Sequence, residues 1–146
     1  MTCAVTGTPD EADLARRIAD GVGSSARHVA GKTSILSLTA LLKRAKLLLV
    51  GSTGTMHLAA SQKTPTVLIE PTPDSTQRIA KWAPWMAPHR AVGASAVCPG
   101  CDHIQCHQTG MDCVGSIEVA RVVDAALDLL KEEKSGLSAW HRTSSP

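Results

Sequence analysis

A short stretch of hydroxyl, glycine and histidine residues is the part of this sequence best suited to chemistry. Ser52, Thr53 and Gly54 follow an apolar run at residues 45–50, and His57 comes four residues after Thr53. The pattern predicts a buried strand, a small-residue turn and the start of a helix. A helix start carries unpaired N–H groups and a partial positive charge, so it attracts anions. The stretch therefore predicts a phosphate-binding site.

Two interpretations of this stretch remain open from the pattern alone. Thr53 and His57 would lie on one face of the helix, where both could donate hydrogen bonds to phosphoryl oxygens. The alternative is purely structural: Ser52 or Thr53 caps the helix, and His57 packs in the core.

Composition favours a globular domain that binds a small molecule. The chain has 146 residues, of which 43% are hydrophobic and 19% charged, which is ordinary for a globular protein. Its formal charge of +2 gives no support for a nucleic-acid surface or a membrane patch. The sequence has neither the roughly 20 consecutive apolar residues of a membrane span nor an N-terminal signal core, so a cytoplasmic location is predicted.

Alternating strand and helix patterns surround the phosphate-binding turn. Strands are predicted at residues 1–7, 27–30, 46–50, 64–69 and 90–92. Helices are predicted at residues 8–20, 31–44, 53–61 and 119–130. This order implies a parallel sheet, and the absence of Phe and Tyr implies aliphatic packing of helices on that sheet. The predicted fold class is α/β.

The remaining segments set the predicted domain organisation. Residues 70–115 are rich in Pro, Trp, His and Cys and show little regular period, so long irregular loops are expected there. We predict one domain over residues 1–135, with an irregular Cys-rich loop at 93–115, and a flexible tail at 136–146.

Gly31-Lys32-Thr33 resembles the end of a nucleotide-binding P-loop but lacks its beginning. The P-loop pattern needs a glycine five positions before Gly31, and residue 26 is Ala. The later strand ends in Gly51-Ser52, with no acid to hold magnesium. Lys32 and Thr33 are therefore predicted to line a groove or simply to begin a helix.

A cysteine run is the second motif with an open interpretation. Its spacing is C-x2-C-x4-C-x6-C, formed by Cys98, Cys101, Cys106 and Cys113. Closely spaced thiolates can bind zinc, but standard zinc ribbons have two C-x2-C pairs about 15 to 20 residues apart. Loop thiols are therefore favoured and no metal site is predicted. A zinc-held interaction loop is the alternative.

Five segments, taken in order, carry a family resemblance. They are residues 6–11 (TGTPDE), 30–36 (AGKTSIL), 50–60 (VGSTGTMHLAA), 64–72 (TPTVLIEPT) and the run that begins at Cys98. Together they resemble glycosyltransferase family 9, the ADP-heptose:lipopolysaccharide heptosyltransferases of the GT-B class, whose third and fourth segments typically read DTGpmHlAa and PvvalfGpT. The resemblance implies the C-terminal, donor-binding half of a GT-B enzyme, with a Rossmann-like parallel sheet flanked by helices.

The resemblance also implies roles for individual residues in binding an ADP-sugar donor. Thr53, Gly54 and His57, with Ser52 beside them, would contact the diphosphate. Glu11 would bind the ribose, and Thr33 would lie beside the adenine. Gly54 has no Cβ to keep the backbone from the phosphates. No cofactor is implied besides the donor.

Two departures from the family pattern limit the expected activity. Ser52 stands where the family has Asp before Thr-Gly, and the family's N-terminal acceptor domain has no counterpart in 146 residues. We expect the catalytic base to lie on that missing domain, so no catalytic residue is predicted here and this chain alone should be inactive. A complete enzyme would transfer the sugar to a lipopolysaccharide-core-type acceptor held by a missing or separate domain, and could associate with the inner-membrane surface. The alternative is a non-catalytic or truncated nucleotide-binding remnant.

Overall fold

The computed structural model of the protein describes residues 2–70, 82–94 and 112–134. The chain divides into two compact units, Met1–Ala40 and Leu41–Pro146. Strands in both units are parallel and alternate with helices, which confirms the predicted α/β class. None of the described helices combines the length and apolar character needed to cross a membrane.

The first unit is built on two parallel strands. Strand β1 (Cys3–Val5) pairs in register with β2 (Ala26–His28). Helix α1 (Ala12–Val22) connects them and follows a 3-10 turn at Pro9–Glu11. Its buried positions are Ala15 and Ala19, whose small side chains let a helix pack closely on its neighbours.

The second unit contains a three-stranded parallel sheet in the order β3-β4-β5. Its strands are β3 (Leu48–Gly51), β4 (Thr66–Glu70) and β5 (His89–Gly93). The helices are α2 (Ile35–Arg44), which begins in the first unit, α3 (Gly54–Ser61) between β3 and β4, and α4 (Val119–Lys134), which packs on β4 and β5. A single helical turn at Asp112–Gly115 precedes α4.

The core of the second unit is aliphatic, as the absence of Phe and Tyr predicts. Val67, Val92 and Leu129 form its buried cluster, with partly buried residues of α4 around them. Leu68 and Met56 are also fully buried. Because Leu68 follows Val67 along β4, the two side chains point to opposite faces of the sheet, so both faces are covered.

The predicted elements are confirmed, with differences at their ends. The first helix begins later than predicted because Pro9–Glu11 forms a 3-10 turn. The second begins at Ile35 rather than at residue 31, since Ser34 accepts a hydrogen bond from the Ser37 N–H at 3.2 Å and so caps the first turn. Strand β5 confirms the short strand predicted at residues 90–92, whereas the helical turn at Asp112–Gly115 lies in the segment predicted as irregular. The domain limits stay predictions: the tail at 136–146 and most of the Cys-rich loop lie outside the described residues.

Candidate functional site

The turn predicted to bind phosphate lies at the carboxyl end of β3. The strand ends at Gly51, Thr53 is the N-cap residue of α3, and the helix begins at Gly54. Ser52, Thr53 and Gly54 are all exposed. In open parallel sheets, ligands bind where the carboxyl ends of the strands lead into helices. The turn is therefore both accessible and at the end of the sheet where ligands are expected.

Thr53 does not act as a side-chain cap, although it occupies the N-cap position. Its backbone is extended, with φ −136° and ψ 170°, and its side chain makes no capping hydrogen bond. Its carbonyl oxygen accepts a hydrogen bond from the Met56 N–H at 3.0 Å. The interpretation in which the Thr53 side chain caps α3 is therefore wrong, and its hydroxyl is not used to hold the first turn of the helix.

His57 does not pack in the core. Helix α3 buries Met56, Ala59 and Ala60, whereas His57 is exposed. The structural alternative for this residue is therefore wrong as well. The imidazole lies one turn into a helix whose first amides carry no side-chain cap, which suits a donor to an anion.

Gly54 is not required by the fold. A Cβ atom built at this position meets no heavy atom within 4 Å, and Gly54 does not have a positive φ. A side chain would fit sterically, so neither close packing nor backbone conformation explains the glycine. The remaining physical reason for glycine here is that the lack of a side chain leaves the first amides of α3 open to a ligand.

Glu11 lies in the first unit, in the 3-10 turn that follows β1. Its Oε2 accepts hydrogen bonds from the Thr8 backbone N–H at 2.7 Å and from the Thr8 hydroxyl at 3.0 Å. These bonds, the backbone bond first, lower the pKa of the Glu11 carboxyl below its usual value of 4.5. The residue is exposed, so its carboxylate is held in place by Thr8 while remaining open to solvent.

The Gly31-Lys32-Thr33 segment forms a tight turn packed on the loop after β1. The Gly31 N–H donates to the Gly7 carbonyl at 2.9 Å, and the Lys32 N–H donates to the Val29 carbonyl at 3.0 Å. Gly31 has φ +69°, and a Cβ atom there would lie 3.0 Å from Pro9 Cα. Glycine is therefore needed at position 31 for conformation and for close packing. Thr33 follows this turn and is half-buried.

The comparison with known families decides the identity of the chain at family level. The family model described as glycosyltransferase family 9 (heptosyltransferase) matches residues 2–111. The chain belongs to glycosyltransferase family 9. It is thus a heptosyltransferase-like domain of a transferase family. No curated protein sequence gave a significant match.

Two solved structures share the fold of this family 9 chain. A family 9 glycosyl transferase from Veillonella parvula DSM 2008 is 18% identical with a TM-score of 0.69, and the match covers 90% of this chain and 37% of that one. The E. coli ADP-heptose lps heptosyltransferase II is 19% identical with a TM-score of 0.69, covering 91% of this chain and 37% of that one. This chain therefore spans about 37% of the length of either structure.

The structure distributes the predicted binding residues of this family 9 chain over its two units. Ser52, Thr53, Gly54 and His57 lie together at the start of α3. Glu11 and Thr33 lie in the first unit, on the segments that follow β1 and β2. Every one of these positions follows the carboxyl end of a parallel strand.

Glu70, which ends β4, is not among the residues predicted from the sequence. This residue is buried at the same end of the sheet as the phosphate-binding turn. A glutamate closes the otherwise uncharged run at residues 64–69. Among the described residues no three metal-binding side chains lie together; Cys98, Cys101 and Cys106 fall outside these residues, whereas Cys113 has a free thiol.

Proposed function

We propose that this chain binds the ADP-sugar donor of a family 9 transfer reaction. The observation that carries the proposal is the start of α3, where Thr53 and His57 are exposed, the Thr53 side chain does not cap, and Gly54 is not needed by the fold. Helix amides and side-chain donors of this kind suit the oxygens of a diphosphate.

The proposal assigns one part of the donor to each group of residues. The diphosphate is bound by Thr53, Gly54 and His57, with Ser52 beside them. The ribose hydroxyls are bound by Glu11: a carboxylate can accept about four hydrogen bonds, and Thr8 donates two to Glu11. Thr33 lies beside the adenine. No metal or other cofactor is part of the proposal.

Electrostatics explains how the diphosphate-binding residues would assist transfer. When the bond between sugar and diphosphate breaks, the departing diphosphate gains negative charge. Donors aimed at developing charge are worth about 3 to 4 kcal/mol each in favourable cases. Thr53 and the first amides of α3 supply such donors. The sugar would pass to a lipopolysaccharide-core-type acceptor at the cytoplasmic side of the inner membrane. The catalytic base would lie on a separate, acceptor-binding domain.

A second candidate is a non-catalytic or truncated nucleotide-binding remnant of the family. Ser52, in place of the family's Asp, favours this candidate. A Ser52→Asp variant supplied with an acceptor domain separates the two. Gain of transfer identifies a decayed enzyme, and no gain identifies a binding role.

Calorimetric titration of ADP into the purified chain tests the proposal. We expect saturable binding that weakens about tenfold or more in His57→Ala, because a hydrogen bond to a charged group is worth roughly 1.5 to 3 kcal/mol. Ser61→Ala, at the opposite end of α3, is the control and should bind like the wild type. Absence of saturable binding, or equal binding by His57→Ala, would contradict the site.

A further inference from the structure

Hydrogen bonds with Thr8 fix the position of the Glu11 carboxylate in the first unit. The Glu11 N–H donates to the Thr8 carbonyl at 3.1 Å. In return, the Glu11 carboxylate accepts from the Thr8 N–H at 2.7 Å and from the Thr8 hydroxyl at 3.0 Å. Because these bonds join the same two residues in both directions, the carboxylate cannot turn away without breaking the turn at Pro9–Glu11.

Both bonds to the carboxylate end on the same oxygen atom. Oε2 accepts from the N–H and from the hydroxyl of Thr8, and Glu11 has no other hydrogen bond or ion pair in the part of the chain that the structure describes. A carboxylate oxygen offers about two acceptor positions, so Oε2 is fully used. Glu11 is exposed, which leaves the two positions of Oε1 open to a ligand. The Thr8 bonds, the backbone bond first, also lower the pKa of the Glu11 carboxyl, so the group is ionised and only accepts.

Ribose presents donors that match these open positions. Its 2′- and 3′-hydroxyls are neighbours on the ring, and each can donate one hydrogen bond. Bonds to a charged acceptor are stronger than those between neutral groups. A ribose therefore fills both positions of Oε1, whereas a 2′-deoxyribose leaves one of them without a partner.

Gly7 lies against the same carboxylate. A Cβ atom at position 7 would lie 3.0 Å from Glu11 Oε2 and 3.2 Å from Glu11 Cβ. Gly7 does not have a positive φ, so its backbone conformation is open to alanine. Its carbonyl accepts from the Gly31 N–H at 2.9 Å, which ties the backbone of Gly7 in place. An added methyl group would therefore displace the end of the Glu11 side chain rather than the backbone.

We propose that Gly7 and Thr8 are positioning residues that fix the Glu11 carboxylate so that the site prefers ribonucleotides to 2′-deoxyribonucleotides. The inference rests on the proposed function, since it requires Glu11 to bind the ribose of the donor. It goes beyond that function by naming the residues that hold the carboxylate and the class of nucleotide that they select.

Calorimetric titration of ADP and of 2′-deoxy-ADP into the full chain tests the inference. The wild type should bind ADP about tenfold more tightly than 2′-deoxy-ADP, because the 2′-hydroxyl donates to a charged group. Gly7→Ala should weaken ADP binding more than 2′-deoxy-ADP binding, so the ratio of the two affinities should fall toward one. Gly21→Ala is the matched control and should keep the wild-type ratio, since a Cβ atom at this glycine of the same unit meets no heavy atom within 4 Å.

A pair of Thr8 variants adds a readout that a merely structural role would not move. Thr8→Val removes the hydroxyl donor but keeps the branched shape and the backbone N–H, so the preference for ADP should fall in part. Thr8→Ser keeps the hydroxyl and should restore the wild-type ratio. Thr39→Val is the control and should leave the ratio unchanged, because it removes a hydroxyl of α2 that donates to the Ile35 carbonyl at 2.8 Å. Circular dichroism checks that each variant is folded, and if Gly7→Ala is not, the Thr8 pair decides.

Three outcomes would overturn the inference while ADP binding, and with it the proposed function, persists. Equal binding of both nucleotides by the wild type shows that the 2′-hydroxyl is not recognised. An unchanged ratio in Gly7→Ala and Thr8→Val shows that neither residue positions the carboxylate for the ribose. A ratio in Thr8→Ser as low as that of Thr8→Val shows that the hydroxyl is not the positioning group. A wild-type chain that binds neither nucleotide removes the proposed function and this inference together.

Discussion

Gly54→Ala and Gly31→Ala add the same methyl group to two glycines in opposite situations. At Gly54, in the first turn of α3, the new Cβ meets no heavy atom within 4 Å. At Gly31 the φ angle is +69° and the new Cβ lies 3.0 Å from Pro9 Cα, a backbone atom that cannot rotate away. The two substitutions should therefore change stability in opposite directions.

The magnitudes follow from backbone entropy and from strain. Alanine at Gly54 restricts the unfolded chain and suits a helix, so the free energy of unfolding should rise by about 0.4 to 1 kcal/mol. Alanine at Gly31 must adopt a left-handed conformation that costs roughly 1 to 2 kcal/mol, and Pro9 must also shift. The free energy of unfolding should therefore fall by about 2 kcal/mol in Gly31→Ala.

The assay combines urea denaturation, followed by circular dichroism, with calorimetric titration of ADP. Gly54→Ala should be at least as stable as the wild type yet bind ADP more weakly, because the methyl group occupies the approach to the first amides of α3. A fall of more than 1 kcal/mol in the free energy of unfolding of Gly54→Ala would show that the fold requires this glycine. Unchanged ADP binding by a stable Gly54→Ala would refute the assignment of the diphosphate to this turn.

Three further predictions concern packing and charge. Leu129→Ala, at a side chain only 1% exposed, should lower the free energy of unfolding by about 2 to 5 kcal/mol, while Leu127→Ala on the exposed side of α4 should cost less than about 1 kcal/mol. Thr64→Val should cost about 1 to 3 kcal/mol in the same urea assay, because the buried hydroxyl donates to a carbonyl of α2 at 2.8 Å. The pKa of the Glu11 carboxyl, measured by carbon NMR, should lie below 4.5. Its contribution to the free energy of unfolding should be present above that pH and should be lost as the pH falls through the lowered pKa. Thr8→Ala should move the midpoint only partly toward 4.5, since the backbone N–H remains; a midpoint at or above 4.5 in the wild type would contradict the assigned hydrogen bonds.

Periodicity made the order of elements predictable, whereas their ends depended on particular hydrogen bonds. Apolar residues at helical spacing between Val119 and Leu130 indicate α4 without any tertiary information. The start of α2 was not visible in the same way, because Gly31-Lys32-Thr33 looks like a helix start. Only the left-handed conformation of Gly31 and its bond to Gly7 show that this segment is a packed turn.

At the start of α3, too, the sequence predicted some features of the candidate site and only the structure decided others. Residue types and spacing placed Ser52, Thr53, Gly54 and His57 after a strand, and the structure has them between the end of β3 and the first turns of α3. The pattern alone left open whether Thr53 caps and whether His57 is buried. Those questions depend on rotamers and on which face of the helix meets the sheet, and the structure answers both against the structural alternative.

Local sequence thus determined the α/β class, the sites of the strands and helices, and the family to which the chain belongs, because these depend on residue periods and short motifs. Tertiary structure alone decided that Glu70 is buried and that it follows the residue paired with Gly51. Residues 52 and 70 are far apart in the chain, and strand register is set by packing of the whole sheet rather than by either segment. The adjacency of these two strand ends is therefore a feature that no local pattern encodes.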